Sequence, residues 1–317
     1  MFITKTDQVL INPVLTKMAI AYPQNGLVAS KLAPYVDVPE GEEDGTYFIF
    51  DKTNLNSSYD DIRALGARAT TFDWKTSTDS YHCEEHTLEK AIDWREFKKW
   101  KKYMDLAVTT QEITLELLLL NYEVRIADMF TNVAVANGVY FDGTYINALA
   151  GGNMWDDFVN SDPEGDIEDA REKVSLNAAE PNTIAIPVTV WRTVRRHPAI
   201  RALMREQDSR QLTDDGFPRR LFGLNAVFPG AREITTMPGV AEAISRVWGK
   251  NVWVGIVNPR PSKKTMSFAY TLKSAGLQAE TYEDKPKKSD VIRIQHQISD
   301  EKCVCSTAGY LFQTVIA

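Results

Sequence analysis

Asp156, Asp157, Asp162 and Asp166 fall within one short stretch of this sequence. Paired carboxylates at such spacing can hold a divalent ion and activate water, as in a metal-assisted hydrolase. Asp162 and Asp166 also have a second reading. Asp162-Pro163-Glu164-Gly165-Asp166 supplies a capping side chain, a proline at the first helical position and acids at the positive end of a helix. His197, directly before Pro198, reads as a general base or as the turn histidine of a helix end. His82 and Cys83 with His86, and His296 with Cys303 and Cys305, are soft metal donors. Neither group has a zinc spacing, and neighbours along a strand face opposite ways. The nucleophile-elbow, phosphate-loop, dinucleotide and His-Glu-x-x-His signatures are all absent from the sequence. The residues therefore predict no catalytic group, no cofactor and no metal: a chain that is not an enzyme.

The charge balance agrees. Lysine and arginine number 36 against 43 aspartates and glutamates, a net −7 that makes general nucleic-acid binding unfavourable. The distribution is uneven, with nine arginines between Trp191 and Arg232 opposed by Glu206, Asp208, Asp214 and Asp215. That run reads as a solvated face with inter-subunit ion pairs, or as a surface turned toward packaged polyanion. Cys83, Cys303 and Cys305 form no disulfide framework and suit a reducing cytoplasm. The apolar runs, Leu117 to Leu120 among them, are far too short to span a bilayer, so no membrane contact is expected. Met1-Phe2-Ile3-Thr4 lacks the start of a secretory signal.

The elements are of five kinds. Residues 1–44 read as a proline-punctuated arm, with helix limited to Pro13–Ala21 and few local partners, so that it gains order on another surface. Thr46–Phe50 and Ala69–Thr78 read as strands of a long hairpin with an irregular polar tip, marginal alone. Ile113, Leu117, Leu120, Val124, Ala127, Phe130 and Ala134 recur at helical steps, predicting a helix from about Tyr103 to Asn137, roughly 50 Å long. Its polar side carries Glu116, Asn121, Glu123, Arg125 and Asp128. A compact α/β region follows, with a helix from Asp162 to Leu176, a buried strand Asn182–Ile186, helices at Thr189–Arg196 and Ala199–Glu206, and strands Leu221–Val227 and Val252–Val257. Strands Gly276–Tyr282, Asp290–Gln297 and Glu301–Val315 alternate at period two and close the chain.

In this order the elements resemble the major capsid protein of tailed bacteriophages, the Hong Kong 97-type fold, an α+β architecture. Thr114–Leu120 through Val124–Asp128 is similar to that family's spine helix. Asp162–Ala170, Asn182–Ile184 and Trp191–Ile200 are similar to the start of its axial domain, and Asp290–Ile294 and Ala308–Leu311 to its terminal strands. The resemblance implies a shell protein that assembles with copies of itself as pentamers and hexamers into an icosahedral head around double-stranded DNA. It implies an N-terminal arm (1–44), an extended loop (45–82), a peripheral domain with the spine helix (83–157), an axial domain (158–275) and closing strands, mostly peripheral (276–317). Portal, scaffold and decoration proteins are the implied partners, with non-specific contact to packaged DNA, in a virion assembled in the host cytoplasm. No protease-removed helical scaffolding segment is recognised, and no Lys–Asn crosslink is predicted for Lys52, Lys75, Asn54 or Asn56. The implied inter-subunit contacts are Tyr47, Phe48, Phe50, Phe72 and Trp74 by burial and Asp60, Asp61, Arg63 and Arg68 by charge. An encapsulin shell on the same fold is the alternative, and a hydrolase at Asp156 and Asp157 a third.

Overall fold

The computed structural model describes residues 10–11, 26–39, 41–50, 58–59, 61–63, 65–66, 68–71, 73, 75–100, 105–131, 144–201, 220–234, 244–260 and 266–317. Their core is divided between two six-stranded sheets joined by one long helix. The first sheet takes Leu10–Ile11, Gln278–Asp284, Ser289–Cys303, Ala269–Ala275 and Tyr35–Asp37 in that spatial order, with Glu84–Asp93 also paired to Ser289–Cys303. The second runs Ile146–Ala148, Gly309–Gln313, Val252–Gly255, Thr183–Ala185, Leu224–Val227 and Arg220–Leu221.

The closing strands divide between these sheets. The strand beginning at Ser289 continues to Cys303, a one-residue-to-one pairing with Glu84–Asp93 broken once between Gln295 and Gln297. The expected third strand, Glu301–Val315, is not one element. Its start belongs to the first sheet, a short turn of helix at Ser306–Ala308 intervenes, and Gly309–Gln313 joins the second sheet between Val252–Gly255 and Ile146–Ala148. Leu221–Val227 is likewise two strands. Phe222 and Gly223 both have positive φ (54° and 75°), the geometry of a two-residue hairpin turn that a single strand cannot contain.

The helix spans Leu106–Thr131, 26 residues and about 39 Å. Asp105 caps it, its Oδ1 accepting from the backbone N–H of Ala107 and Val108. Residues 103–104 and 132–137 of the expected range lie outside the described residues. Its buried face differs from the expected stripe in the first half. Ile113 and Leu117 are about half exposed, whereas Leu115, Leu118 and Leu119 pack on Ile92, Ile292 and Ile294 of the first sheet. Four successive leucines fit either helical register, and the sheet decides between them. In the second half Ala127 and Phe130 are buried as expected, the Phe130 ring lying 4.8 Å from those of Trp253 and Phe268 between centroids.

The arm departs furthest from expectation. Residues 28–33 contribute to this chain's own core: Val28, Ala29, Leu32 and Ala33 are all buried, in and beside a short helix, Ala29–Leu32, that the prolines did not signal. Tyr35–Asp37 then pairs in parallel with Thr271–Lys273. Leu10–Ile11 and Tyr35–Asp37 thus lie at opposite ends of the first sheet's order and cover strands that would otherwise be edges. The expected Pro13–Ala21 helix lies outside the described residues.

Candidate assembly surfaces

The four aspartates are occupied structurally. Asp157 accepts from the backbone N–H of Val159 and Asn160 and from the Asn160 side chain, bonds that lower its carboxyl below the ordinary range. Asp156 accepts from the Ala317 N–H at 3.1 Å. Asp162 caps the helix Pro163–Asn177, accepting from Gly165 N–H at 3.2 Å, and a Cβ on Gly165 would stand 2.6 Å from that carboxylate. Asp166 accepts from Trp155 Nε1 at 2.7 Å, while burial raises its pKa. His197 is buried at the end of the helix Val188–Val194, and its Nδ1 accepts from Ala199 N–H, the geometry of a turn histidine. Cys83 is buried with its thiol directed to Leu272 O, Cys303 is driven upward in pKa by burial, and Cys305 contacts Thr307. Among the described residues, no three of the His, Cys, Asp and Glu side chains converge as metal ligands.

The hairpin is Asp44–Phe50 paired with Thr76–His82, so its return strand starts later than the expected Ala69–Thr78. One bond moors its base to the first sheet, His82 N–H donating to Asp300 at 2.9 Å, while Cys83 N–H donates to Glu43 O across the hairpin's own base. The His82 imidazole pairs with Asp44, which raises its pKa. Among the described residues its two strands pair only with each other, outside both six-stranded sheets. Tyr47 is partly buried and donates to Asp79 at 2.8 Å. Asp61, Arg63 and Arg68 are exposed, and none has an ion-pair partner among the described residues. Phe48 and Phe50 belong to the strand, but their side chains, like Asp60, Phe72 and Trp74 as a whole, lie outside the described residues.

One site escaped the sequence reading. Glu123, expected on the helix's polar side, is fully buried. Its Oε2 accepts from the backbone N–H of Val28 (2.8 Å) and Ala29 (2.7 Å), and its Oε1 from Trp248 Nε1 (2.7 Å). The helix Ala29–Leu32 begins at Val28, which has no side-chain acceptor, and Glu123 supplies the missing cap from 95 positions away. The far end is held by Tyr122 and Thr271, whose hydroxyls reach Ala33 O. One turn along, Arg125 makes a bidentate pair with Glu301 at 3.1 and 3.0 Å. The helix is thereby tied to the arm, the first sheet and the Trp248 turn.

A separate two-stranded hairpin, a long helix and two sheets in this connectivity match solved capsid structures along nearly the whole chain. The capsid protein of cyanophage P-SCSP1u superposes with a TM-score of 0.62 at 11% identity, over 99% of this chain and 93% of that one. The chain has the Hong Kong 97-type fold. A phage-related protein from Bordetella bronchiseptica RB50 matches with a TM-score of 0.70 at 23% identity, over 97% and 98% of the two chains. An encapsulin from Synechococcus elongatus PCC 7942 shares the Hong Kong 97-type fold at a TM-score of 0.54 and 9% identity, over 100% and 94%. By sequence, the major capsid protein of Burkholderia phage BcepMu is 24% identical over 96% of this chain and 97% of its own. No family model matches.

Proposed function

We propose that the chain is a major capsid protein, forming pentamers and hexamers of the icosahedral head that encloses a tailed phage's double-stranded DNA. The supporting observation is end-to-end: relatives named as phage major capsid proteins and phage capsid structures align with the Hong Kong 97-type fold over nearly all of this chain. In this reading the hairpin 45–82 lies over a neighbouring subunit, with Tyr47, Phe48, Phe50, Phe72 and Trp74 buried against it and Asp60, Asp61, Arg63 and Arg68 pairing in charge. The work is structural, and portal, scaffold and decoration proteins are partners. The first sheet with the long helix serves as the peripheral body and the second sheet as the axial one. Many moderate contacts, repeated by symmetry, supply the assembly energy.

The encapsulin reading shares the fold, and the contents of the particle separate the two. Particles purified from producing cells are treated with nuclease and then opened. Protected double-stranded DNA supports the head protein. An enclosed enzyme without DNA identifies a compartment shell and refutes the proposal.

A further inference from the structure

Two arginines face each other across a ribbon outside both sheets. Arg232–Ile234 and Ile244–Arg246 form a separate two-stranded pair, with Arg232 in register with Arg246. Like charges directly opposite disfavour pairing, and an isolated two-stranded ribbon is marginal in water. Arg192, exposed on the helix Val188–Val194, adds a third charge. Burial first, and then the charges of Arg232 and Arg192, push the Arg246 guanidinium below its ordinary pKa. Arg246 donates to Gly230 O at 2.7 Å, and no acid among the described residues lies within ion-pair distance of the three. Ile244, on the same side of its strand as Arg246, is 64% exposed. Arginines around an exposed apolar side chain have the composition of an interface.

We propose that this arginine ribbon docks on the acidic face of the helix Pro163–Asn177 in a second copy of the chain, an inference that rests on the shell reading. On that helix Glu164, Glu168 and Glu172 recur at four-residue steps with Asp169 beside them, all exposed. Of these only Glu168 has a cationic partner among the described residues, Arg171. A head-to-tail contact requires two different patches on each copy and closes into a ring when the rotation allows. One body carries both patches here: the helix packs on the second sheet, and the segment just before the ribbon is hydrogen-bonded alongside Val188 through Pro229. The planar guanidinium fork fits carboxylates in pairs, which explains arginine in place of lysine.

The test is a charge exchange, read as particle yield by light scattering. Arg192→Glu/Arg232→Glu and, separately, Glu168→Arg/Glu172→Arg are each expected to lower the yield about tenfold or more, without lowering the subunit's melting temperature by more than about 1 °C. The four-site combination is expected to recover most of it. Arg192→Ala/Arg232→Ala, which introduces no new charge, is expected to lower the yield in the same direction and guards against a variant that misfolds. Parental yield from the arginine variants, or loss in both pairs without recovery in the combination, overturns the pairing. Normal shells that retain less DNA would assign the ribbon to packaged phosphate and equally overturn it. If the parent itself forms no particle, the shell reading fails, and this inference with it.

Discussion

Replacing Glu123 with alanine removes the acceptor of three buried donors at once: Val28 N–H, Ala29 N–H and Trp248 Nε1. Each buried donor left without a partner costs about 1–3 kcal/mol. Loss of a buried carboxylate returns part of that, because burial outweighs the three donors and raises the Glu123 pKa. A net loss of about 3–5 kcal/mol follows, or roughly 5–8 °C in melting temperature for a chain of this size. Glu123→Gln keeps one oxygen for the two backbone donors but turns an amide N–H₂ toward Trp248, orphaning one donor, so about 1–3 kcal/mol is expected. The raised pKa also fixes a sign. The folded state holds this proton more tightly than the unfolded one. Glu123's contribution is therefore fully present below the ordinary carboxylate pKa and lost as pH rises through the raised value, a dependence absent from Glu123→Gln. Thermal unfolding of the unassembled subunit by circular dichroism gives the first quantity. Limited proteolysis with mass spectrometry gives the second, new cleavage around residues 26–33 in the alanine variant. An alanine variant that melts within about 1 °C of the parent and gains no cleavage there refutes the reasoning.

Phe130→Ala opens a cavity between Trp253 and Phe268 and is expected to cost about 3–5 kcal/mol by denaturant unfolding. Gly309→Ala sets a Cβ 2.6 Å from Trp253 Nε1 and 2.7 Å from the Phe268 ring, so a loss of about 1–3 kcal/mol is expected in the same assay. His296 is held neutral down to about 4 by burial and then by the charges of Arg125, His86 and Lys273. The unfolded chain takes up that proton near 6.5, so the stability is present above 6.5 and is lost as pH falls toward 4, by up to about 3 kcal/mol. Melting temperatures across that range should fall in the parent and less in His296→Phe. Asp61→Arg and Trp74→Ala are expected to reduce particle yield while leaving subunit stability within about 0.5 kcal/mol, and parental assembly by both would remove the hairpin from the interface.

The sequence makes some of these features plain and hides others for identifiable reasons. Asp162 as a cap is legible because Asp-Pro-x-Gly has few other uses, and the hairpin around Lys285–Lys288 is legible because period two survives on both sides of it. The long helix is legible as a helix, but not its buried face, since the run Leu117–Leu120 satisfies several registers. Glu123 could not be recognised locally. A glutamate inside a helix reads as solvated until Val28 and Trp248 are brought to it through folding. The arm misleads similarly: its prolines suggest a segment without local partners, whereas Tyr122, Glu123 and Thr271 provide them across long stretches of chain. Asp61, Arg63 and Arg68 are placed in space as exposed, and what covers them lies in another subunit under the proposed reading.

The most direct test of the shell reading is negative-stain electron microscopy of the purified full chain, alone and with a co-expressed scaffold, alongside its light-scattering mass. The account predicts uniform polyhedral shells, or free rings of five and six subunits. A stable monomer under both conditions would contradict it.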